Sequence, residues 1–301
     1  MHTRFEALWV SNRESAAEAA EKIEAEVRRL EAIFNRFDAG SEVAALNRSR
    51  EKVKVISEDL WFLLELSEQM RAGTQGYFDI AAQSALRAGE ARFTLYHASH
   101  EIKLSKGCVL DFGGIAKGYA LERVRKILCE NYGVQNALLN FGGSSVLGIG
   151  HHPLGPCWLV AAEGSLPEGR NTRGSVAGGP PAEAGGGVSP KGELPTGGFP
   201  SAATGAFELC DCALSVSGLT RGGRNHIINP RTGRAPAREG NVAVQGKSAI
   251  VCEALSTALY AAEPEVRNEI IANFDGYRCG YCAKKDAQYP QKRGKNEDTV
   301  Q

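Results

Sequence analysis

Hydrophobic and polar residues follow two different periods along this chain, and each period predicts one type of secondary structure. Alternation, or a short apolar run, predicts strands over residues 5–10, 108–112, 136–141, 145–149, 158–162, 207–217 and 241–245. Helical spacing of apolar residues predicts a long helix after the first strand, and further helices over residues 57–73, 115–129, 248–262 and 265–274. Ser11 and Glu14 fit a capping box for the first helix. At 301 residues the chain can bury the core of one large domain or two tightly coupled ones.

A change of composition interrupts this pattern between Gly164 and Gly205. Gly, Pro, Ser, Ala and Thr dominate the stretch, and apolar anchors are few. It is too long for an ordinary connection, so we predict a disordered surface insertion over residues 164–205. Residues 263–301 are predicted to form a short C-terminal helix and then a loose polar tail.

Composition and charge narrow the class of protein. Hydrophobic residues make up 43% of the chain, which is typical of soluble globular proteins. Lys+Arg and Asp+Glu number 35 each, so no net charge favours nucleic acid or an anionic membrane. No apolar run approaches the roughly 18 residues that a membrane span requires, and no signal peptide is visible at the N-terminus. The sequence therefore predicts neither a nucleic-acid partner nor a membrane span, and it leaves the compartment open.

The eight cysteines are scattered along the chain. Disulfide frameworks belong to small secreted domains, so we predict reduced, buried thiols. Cys279 and Cys282 have the spacing of zinc ligands, but a structural zinc ion requires four ligands and this pair supplies two. The pattern therefore gives little support to a zinc site.

The stretch from Asp111 to Ala120 reads Asp-Phe-Gly-Gly-Ile-Ala-Lys-Gly-Tyr-Ala and places two glycines at a predicted strand-to-helix junction. A backbone without Cβ atoms can approach a ligand closely. Free N–H groups at the start of a helix favour an anion, and Lys117 adds a positive charge there. Asp111 lies at the end of the predicted strand, where ligands often bind. A tight turn with a solvated lysine explains the same residues, so both interpretations stay open.

On the predicted helix over residues 248–262, the side chains of Glu253, Ser256 and Thr257 stand at i, i+3 and i+4 and therefore share one face. A carboxylate with two hydroxyls suits a hard cation such as Mg²⁺. The alternative is that the hydroxyls bond back to the preceding turn of the helix.

His226 precedes Ile227 and Ile228, which predicts a strand that leads into a turn over residues 229–233. A histidine in such a position serves as a ligand or as a structural residue. The sequence alone leaves both roles open.

These stretches, in this order, resemble the ApbE family of FAD:protein FMN transferases. Residues 111–120 are similar to its Asp-Leu-Gly-Gly-Ile-Ala-Lys-Gly-Tyr-Ala nearly residue for residue, and residues 253–257 resemble its Asp-Ala-Leu-Ser-Thr. The other similar stretches are Met1–Thr3, Phe34–Asn47, Phe78–Ile80, Asn140–Gly143, Ser217–Gly218 and His226–Gly233. The resemblance covers residues 1–262 apart from the insertion, and it implies that this range is the catalytic domain.

The resemblance implies an α+β fold with an FAD cleft between two coupled halves. The implied reaction is the Mg²⁺-dependent transfer of FMN from FAD to a Ser or Thr hydroxyl of an acceptor protein, with release of AMP. Family acceptors carry a Ser/Thr-Gly-Ala-Ser/Thr motif. The implied metal ligands are a backbone carbonyl near Gly114 and the side chains of Glu253, Ser256 and Thr257. The implied FAD contacts are Met1, Phe37, Asp111, Lys117, His226 and Ile227. The implied catalytic residues are Glu253, Thr257 and Lys117.

The chain departs from the family pattern at several places. His2 replaces a glycine, Glu253 replaces an aspartate, Asn229 replaces an aspartate, and Leu219-Thr220-Arg221 replaces Tyr-Glu-Arg. These departures keep two alternatives open. One is an FAD-binding relative without transfer activity, and the other is an FAD pyrophosphatase that forms FMN and AMP. Thr204-Gly205-Ala206 also resembles part of an acceptor motif, although Phe207 replaces its last hydroxyl residue.

Overall fold

The computed structural model describes residues 3–10, 13–49, 52–84, 91–161, 206–218, 226–237 and 240–282. Several sequence predictions lie outside these residues. They concern Met1, His2, the capping box of Ser11 and Glu14, the insertion over residues 164–205, the Thr204 triplet, Leu219–Arg221 and the polar tail.

Strands and helices are mixed along the described chain. The strands are β1 (Phe5–Trp9), β2 (Val53–Val55), β3 (Phe93–Tyr96), β4 (Glu101–Leu104), β5 (Ala137–Phe141), β6 (Ser145–Ile149), β7 (Trp158–Val160), β8 (Phe207–Leu209), β9 (Cys212–Gly218), β10 (Asn241–Gly246) and β11 (Arg278–Cys282). The helices are α1 (Arg13–Phe34), α2 (Glu42–Asn47), α3 (Glu58–Gly73), α4 (Ala116–Lys126), α5 (Ala249–Ala261) and α6 (Arg267–Ala272). A π-helical turn, Ile127–Asn131, extends α4, and a 3₁₀ turn, Pro264–Val266, precedes α6.

One antiparallel sheet of six strands, in the order β1-β5-β6-β9-β10-β11, is the largest unit of the described structure. Strands β2, β4 and β3 form a second sheet in that order, and β7 pairs with β8. The antiparallel sheets and the packed helices make this an α+β protein, as the resemblance implied.

The two faces of the large sheet pack against different partners, because side chains alternate along each strand. On one face Ala137, Leu139 and Phe141 of β5 join the main core with helices α4 and α5. On the other face a smaller core is covered by the β7–β8 pair. Its buried members are Leu138, Val146, Trp158, Phe207, Leu209, Cys212, Leu214 and Ala243. The helical face therefore carries the residues that the sequence singles out for chemistry.

Most predicted elements are confirmed, but the strand predicted over residues 108–112 is wrong. Cys108, Leu110 and Phe112 are buried, but the segment forms no strand ladder, because side chains bind its backbone groups. The Asn47 amide accepts the Leu110 N–H at 2.8 Å and donates to the Leu110 carbonyl at 2.9 Å. Ser84 Oγ accepts the Val109 N–H at 2.9 Å. Asp111 therefore follows an extended segment rather than a strand.

Two further strand predictions need correction. The strand predicted over residues 207–217 is two strands, β8 and β9, because Asp211 adopts a left-handed φ of 48° between them. Residues 226–228 form no strand, and only an isolated bridge joins Asn229 to Arg234. In contrast, β11 was not predicted from the sequence; it pairs with β10 and extends the sheet.

The seven cysteines whose side chains are described are free thiols. Three of them, Cys108, Cys212 and Cys252, are buried, but Cys210 is exposed, so the prediction of buried thiols is wrong there. No helix within the described ranges is long and apolar enough to cross a membrane.

Candidate functional site

Helices α4 and α5 pack very closely because α4 has a glycine where they cross. A Cβ atom on Gly118 would lie 2.4 Å from the carbonyl oxygen of Ala249. The carboxylate of Glu122 in α4 also accepts the Ala249 N–H, at 2.9 Å, so it binds the N-terminal end of α5. These contacts bring the first turn of α4 beside Glu253 of α5.

The Glu253 carboxylate is only 2% exposed, and both of its oxygens contact α4. Oε1 forms an ion pair with the Lys117 ammonium, and Oε2 accepts the Gly118 N–H at 2.5 Å. Burial lowers the pKa of Lys117, and the nearby charge of Asp111 raises it. Because the contacting Glu253 carboxylate favours the charged ammonium, the two groups form an ion pair.

The sequence left two interpretations open for the start of α4, and neither describes it fully: Glu253 binds the Gly118 N–H, and Lys117 is paired with Glu253 rather than solvated. Two N–H groups at this end bind backbone carbonyls: Ala116 donates to the Phe112 carbonyl at 2.9 Å, and Tyr119 donates to the Ile115 carbonyl at 3.1 Å. The Gly118 N–H is bound by Glu253. The anion at this helix end is therefore the carboxylate of Glu253 itself.

A cluster of hydroxyl groups lies next to Glu253, between α5 and β9. Ser256 Oγ donates to the Glu253 carbonyl at 3.0 Å, which is a bond back to the preceding turn. It also lies 2.9 Å from Ser217 Oγ and 3.1 Å from Ser215 Oγ. Thr257 Oγ1 lies 3.5 Å from Ser217 Oγ. Neither Ser215 nor Ser217 was expected at this site, although their alternation in an apolar strand places both on the face toward α5.

The glycine pair before α4 approaches this hydroxyl cluster. A Cβ atom on Gly114 would lie 3.1 Å from Thr257 Oγ1 and 3.4 Å from a ring carbon of Phe78. The missing side chain therefore leaves the Gly114 backbone beside the Thr257 hydroxyl. The structure thus brings together the four residues expected to bind a metal, which are Gly114, Glu253, Ser256 and Thr257.

The chemistry of these residues fits a hard divalent cation. Carboxylate, hydroxyl and backbone carbonyl oxygens are the ligands that Mg²⁺ uses. Glu253 would have to exchange its contact with Lys117 for the ion, since Oε1 is in that ion pair. Within the described ranges, no group of three or more His, Cys, Asp and Glu side chains is arranged to hold a metal. The site proposed here therefore relies on hydroxyl and backbone oxygens.

Asp111 is held in place by two side chains that the sequence analysis did not assign to the site. Arg36 Nε lies 3.2 Å from Asp111 Oδ2, and Gln83 Nε2 donates to the same oxygen at 3.1 Å. The Gly113 N–H donates to Oδ1 at 2.9 Å. The Arg36 guanidinium also lies 4.6 Å from the ring centroid of Phe37, whose side chain is 75% exposed. Phe37 therefore presents an open aromatic surface near Asp111.

His226 shares one electrostatic environment with Lys117 and Asp111. Burial lowers the pKa of His226, the charge of Lys117 lowers it further, and Asp111 raises it. The imidazole is therefore neutral at neutral pH. Ile227, in contrast, is only 7% exposed and belongs to the main core.

Comparison with known proteins decides the family, since the ApbE family profile matches residues 1–279. The chain belongs to the ApbE family. Solved structures of this family are similar in fold. The flavin transferase ApbE from Vibrio cholerae is 16% identical with a TM-score of 0.67, and the match covers 94% of this chain and 95% of that one.

Two further ApbE structures agree with this fold. The apo form of the flavinyl transferase ApbE from Pseudomonas stutzeri is 18% identical, with a TM-score of 0.67 and coverage of 92% of this chain and 90% of that chain. The ApbE protein from Thermotoga maritima is 20% identical, with a TM-score of 0.67 and coverage of 92% and 94%. No curated protein sequence matches the chain. In this ApbE-family protein, Lys117 contacts Glu253, one of the metal-ligand candidates. Lys117 also interacts electrostatically with Asp111 and His226, so it lies between these two groups of residues.

Proposed function

We propose that this protein transfers the FMN half of FAD to a Ser or Thr hydroxyl of an acceptor protein, in a Mg²⁺-dependent reaction that releases AMP. The observation that carries the proposal is the convergence of Gly114, Glu253 and Thr257 beside Lys117. Membership of the ApbE family and the fold shared with flavin transferases support it.

In this proposal Glu253, Ser256, Thr257 and the Gly114 backbone hold the magnesium ion. When bound, the ion neutralises negative charge on the pyrophosphate of FAD. Lys117, once separated from Glu253, is close enough to the same site to hold a phosphate oxygen. These roles are electrostatic, which is the main requirement in phosphoryl transfer.

The remaining residues position the flavin nucleotide. The exposed ring of Phe37 offers a surface for stacking. The Asp111 carboxylate, fixed by Arg36 and Gln83, offers an acceptor for hydrogen bonds from the ligand. The neutral imidazole of His226 offers one donor and one acceptor. Ile227 contributes by packing, and Met1 is assigned to the same pocket from the resemblance.

The acceptor hydroxyl, in a Ser/Thr-Gly-Ala-Ser/Thr motif, attacks the phosphorus of the FMN half in line with the departing AMP. The phosphorus–oxygen bond to AMP breaks as the new phosphoester forms. The proton of the hydroxyl passes to the departing AMP phosphate or to solvent, and the product is an acceptor that carries FMN in a phosphoester bond. Buried Glu253 is bound within the site and is not free to accept this proton.

The test mixes purified protein, FAD, MgCl₂ and a peptide with the acceptor motif, and records intact masses. We expect the peptide to gain one FMN minus water, and AMP to appear in equal amount. Glu253→Gln should abolish the gain, whereas Glu21→Gln, the same change at an exposed position of α1, should retain it. Titration calorimetry with Mg²⁺ supplies a readout independent of activity, in which Thr257→Val should weaken binding.

Other outcomes identify the alternatives. Release of AMP and free FMN without a modified peptide would make the protein an FAD pyrophosphatase. FAD binding without release of AMP would make it a binding relative. Unchanged Mg²⁺ affinity in both Glu253→Gln and Thr257→Val would refute the metal site.

A further inference from the structure

Two cysteines face each other at the end of the small β7–β8 ladder. Trp158 of β7 pairs with Leu209 of β8 in an antiparallel register. Because the strands are antiparallel, the residue before Trp158 lies opposite the residue after Leu209, and this register places Cys157 opposite Cys210. Directly opposed residues of an antiparallel pair have Cα atoms about 4.5–5.5 Å apart, and a disulfide spans Cα separations of about 4.4–6.8 Å.

Alternation along the two strands places both thiols on the outer face of this pair. Trp158 and Leu209 point inward, since they are 4% and 0% exposed and belong to the smaller core. Their neighbours Cys157 and Cys210 therefore point outward, where Cys157 is partly exposed and Cys210 is exposed. The two thiols are close enough for each to shift the pKa of the other.

The third cysteine of this region points the other way. Cys212 is buried in the smaller core, and its sulfur accepts a hydrogen bond from Gln245 Nε2 at 3.3 Å. Cys157 and Cys210 are therefore the pair with both the register and the access for oxidation.

We propose that Cys157 and Cys210 are a dithiol site that forms a reversible disulfide with small-molecule disulfides such as oxidised glutathione. The Cys210 thiolate attacks one sulfur of the oxidant, which expels one glutathione thiolate and leaves a mixed disulfide. The Cys157 thiolate then attacks the Cys210 sulfur and expels the second glutathione. Two electrons pass to the oxidant, and the two thiol protons end on the released glutathione.

The environment of the thiols determines the rate of this reaction. Burial raises the pKa of Cys157 to about 12 and also raises the pKa of Cys210. Only the thiolate attacks a disulfide, so oxidation should be slow at neutral pH and faster as the pH rises. Cys210 is the more exposed thiol, which makes it the first to react.

The disulfide would fix the β7–β8 pair over the smaller core. It links positions on either side of residues 158–209, and a cross-link that closes a long loop restricts the unfolded chain. The oxidised protein should therefore have a higher melting temperature than the reduced protein.

The experiment incubates the reduced full chain with oxidised glutathione at pH 8, followed by intact mass measurement under non-reducing conditions. We expect a loss of about 2 Da, the two thiol hydrogens. Digestion with trypsin and Glu-C should give one linked pair, peptide 131–163 with peptide 209–221. Fragmentation of that pair assigns the bond to Cys157 and Cys210.

Cysteine-to-serine variants identify which two cysteines form the disulfide. Cys157→Ser should stop at the mixed disulfide on Cys210, whereas Cys212→Ser and Cys129→Ser should still form the internal bond. Circular dichroism checks that each variant is folded. A bond to Cys212 instead, or a mixed disulfide on Cys210 that persists in the unaltered protein, would overturn the proposal.

Discussion

Lys117, which is partly buried, and Glu253, which is fully buried, form an ion pair that joins the first turn of α4 to the middle of α5. The second carboxylate oxygen of Glu253 accepts the Gly118 N–H, so one side chain binds both the cation and the helix end. Glutamate is one methylene longer than the aspartate of the family pattern. The extra length is consistent with a carboxylate that reaches into the neighbouring helix.

Removal of Lys117 should therefore be costly. Lys117→Met leaves the Glu253 carboxylate buried without its cation, which should lower the free energy of unfolding by about 3–5 kcal/mol. Urea denaturation without divalent ions measures this loss, and Lys126→Met, at the exposed end of α4, is the control. Lys117→Met combined with Glu253→Gln should lose less than the sum of the single losses. Additive losses would mean that the two residues are not coupled.

Magnesium should stabilise Lys117→Met more than it stabilises the unaltered protein. In the variant the ion does not compete with an ammonium for Glu253, and a ligand that binds only the folded state raises its stability. The melting temperature with and without MgCl₂ measures the difference between the two proteins. An equal shift in both would show that Lys117 and the ion do not share Glu253.

Asn229 is held by a network that an aspartate would disrupt. Its Nδ2 donates to the Ala261 carbonyl at 3.2 Å and to Glu263 Oε1 at 3.0 Å. Asn229→Asp replaces this donor with a second carboxylate, and should lower the free energy of unfolding at pH 7 by about 1–3 kcal/mol. Thermal denaturation checks the loss. Glu263→Gln in the same chain should recover part of it, and an absence of any recovery would contradict a repulsion between these two positions.

The crossing of α4 and α5 should tolerate no larger residue than glycine at position 118. Gly118→Ala places a Cβ atom 2.4 Å from a backbone oxygen, so the helices must separate, at a cost of about 1–3 kcal/mol. Gly40→Ala is a suitable control, because its nearest contact would be 3.4 Å away. Chemical denaturation compares the two. Equal stability of the variants would contradict the close packing of the helices.

Acid should weaken an ion-pair network that joins α1 to α4. Glu26 of α1 has a lowered pKa, first because Arg29 donates hydrogen bonds to it and also because of the charge of Arg123. A group whose folded-state pKa is lowered contributes stability above its unfolded pKa, and this contribution is lost as the pH falls through the folded pKa. The melting temperature of Glu26→Gln should therefore fall less steeply in acid than that of the unaltered protein. Glu21→Gln, at an exposed position of the same helix, should keep the original slope.

Periodicity along the sequence was enough to predict α3, α4 and α5, because their apolar residues repeat at helical spacing and Ser57 and Ser248 cap two of them. It failed at residues 108–112, because a buried apolar run resembles a strand. The backbone partner there is the Asn47 side chain, 63 residues from Leu110 in the chain. No local pattern contains that contact.

Some features of the candidate site could also be predicted from the sequence, whereas others depend on tertiary packing. The shared face of Glu253 and Thr257 follows from helix geometry, so the sequence could predict it. The ion pair from Glu253 to Lys117 spans 136 residues, and the roles of Arg36 and Gln83 depend on packing that brings them to Asp111. These contacts form only when α4 and α5 pack together and the segment that contains Asp111 packs beside Arg36 and Gln83.

The order of strands in the large sheet has a consequence for how the chain is synthesised. Strand β6 ends at Ile149 and needs β9 as its neighbour, yet β9 begins about 60 residues later, and α5, which packs on β6, β9 and β10, begins later still. While the ribosome makes the intervening chain, one edge of β6 has no partner strand. Such an edge can pair with another nascent chain, and contacts between distant residues form slowly. Expression at a reduced rate of translation prolongs this unpaired state and should therefore lower the yield of folded protein.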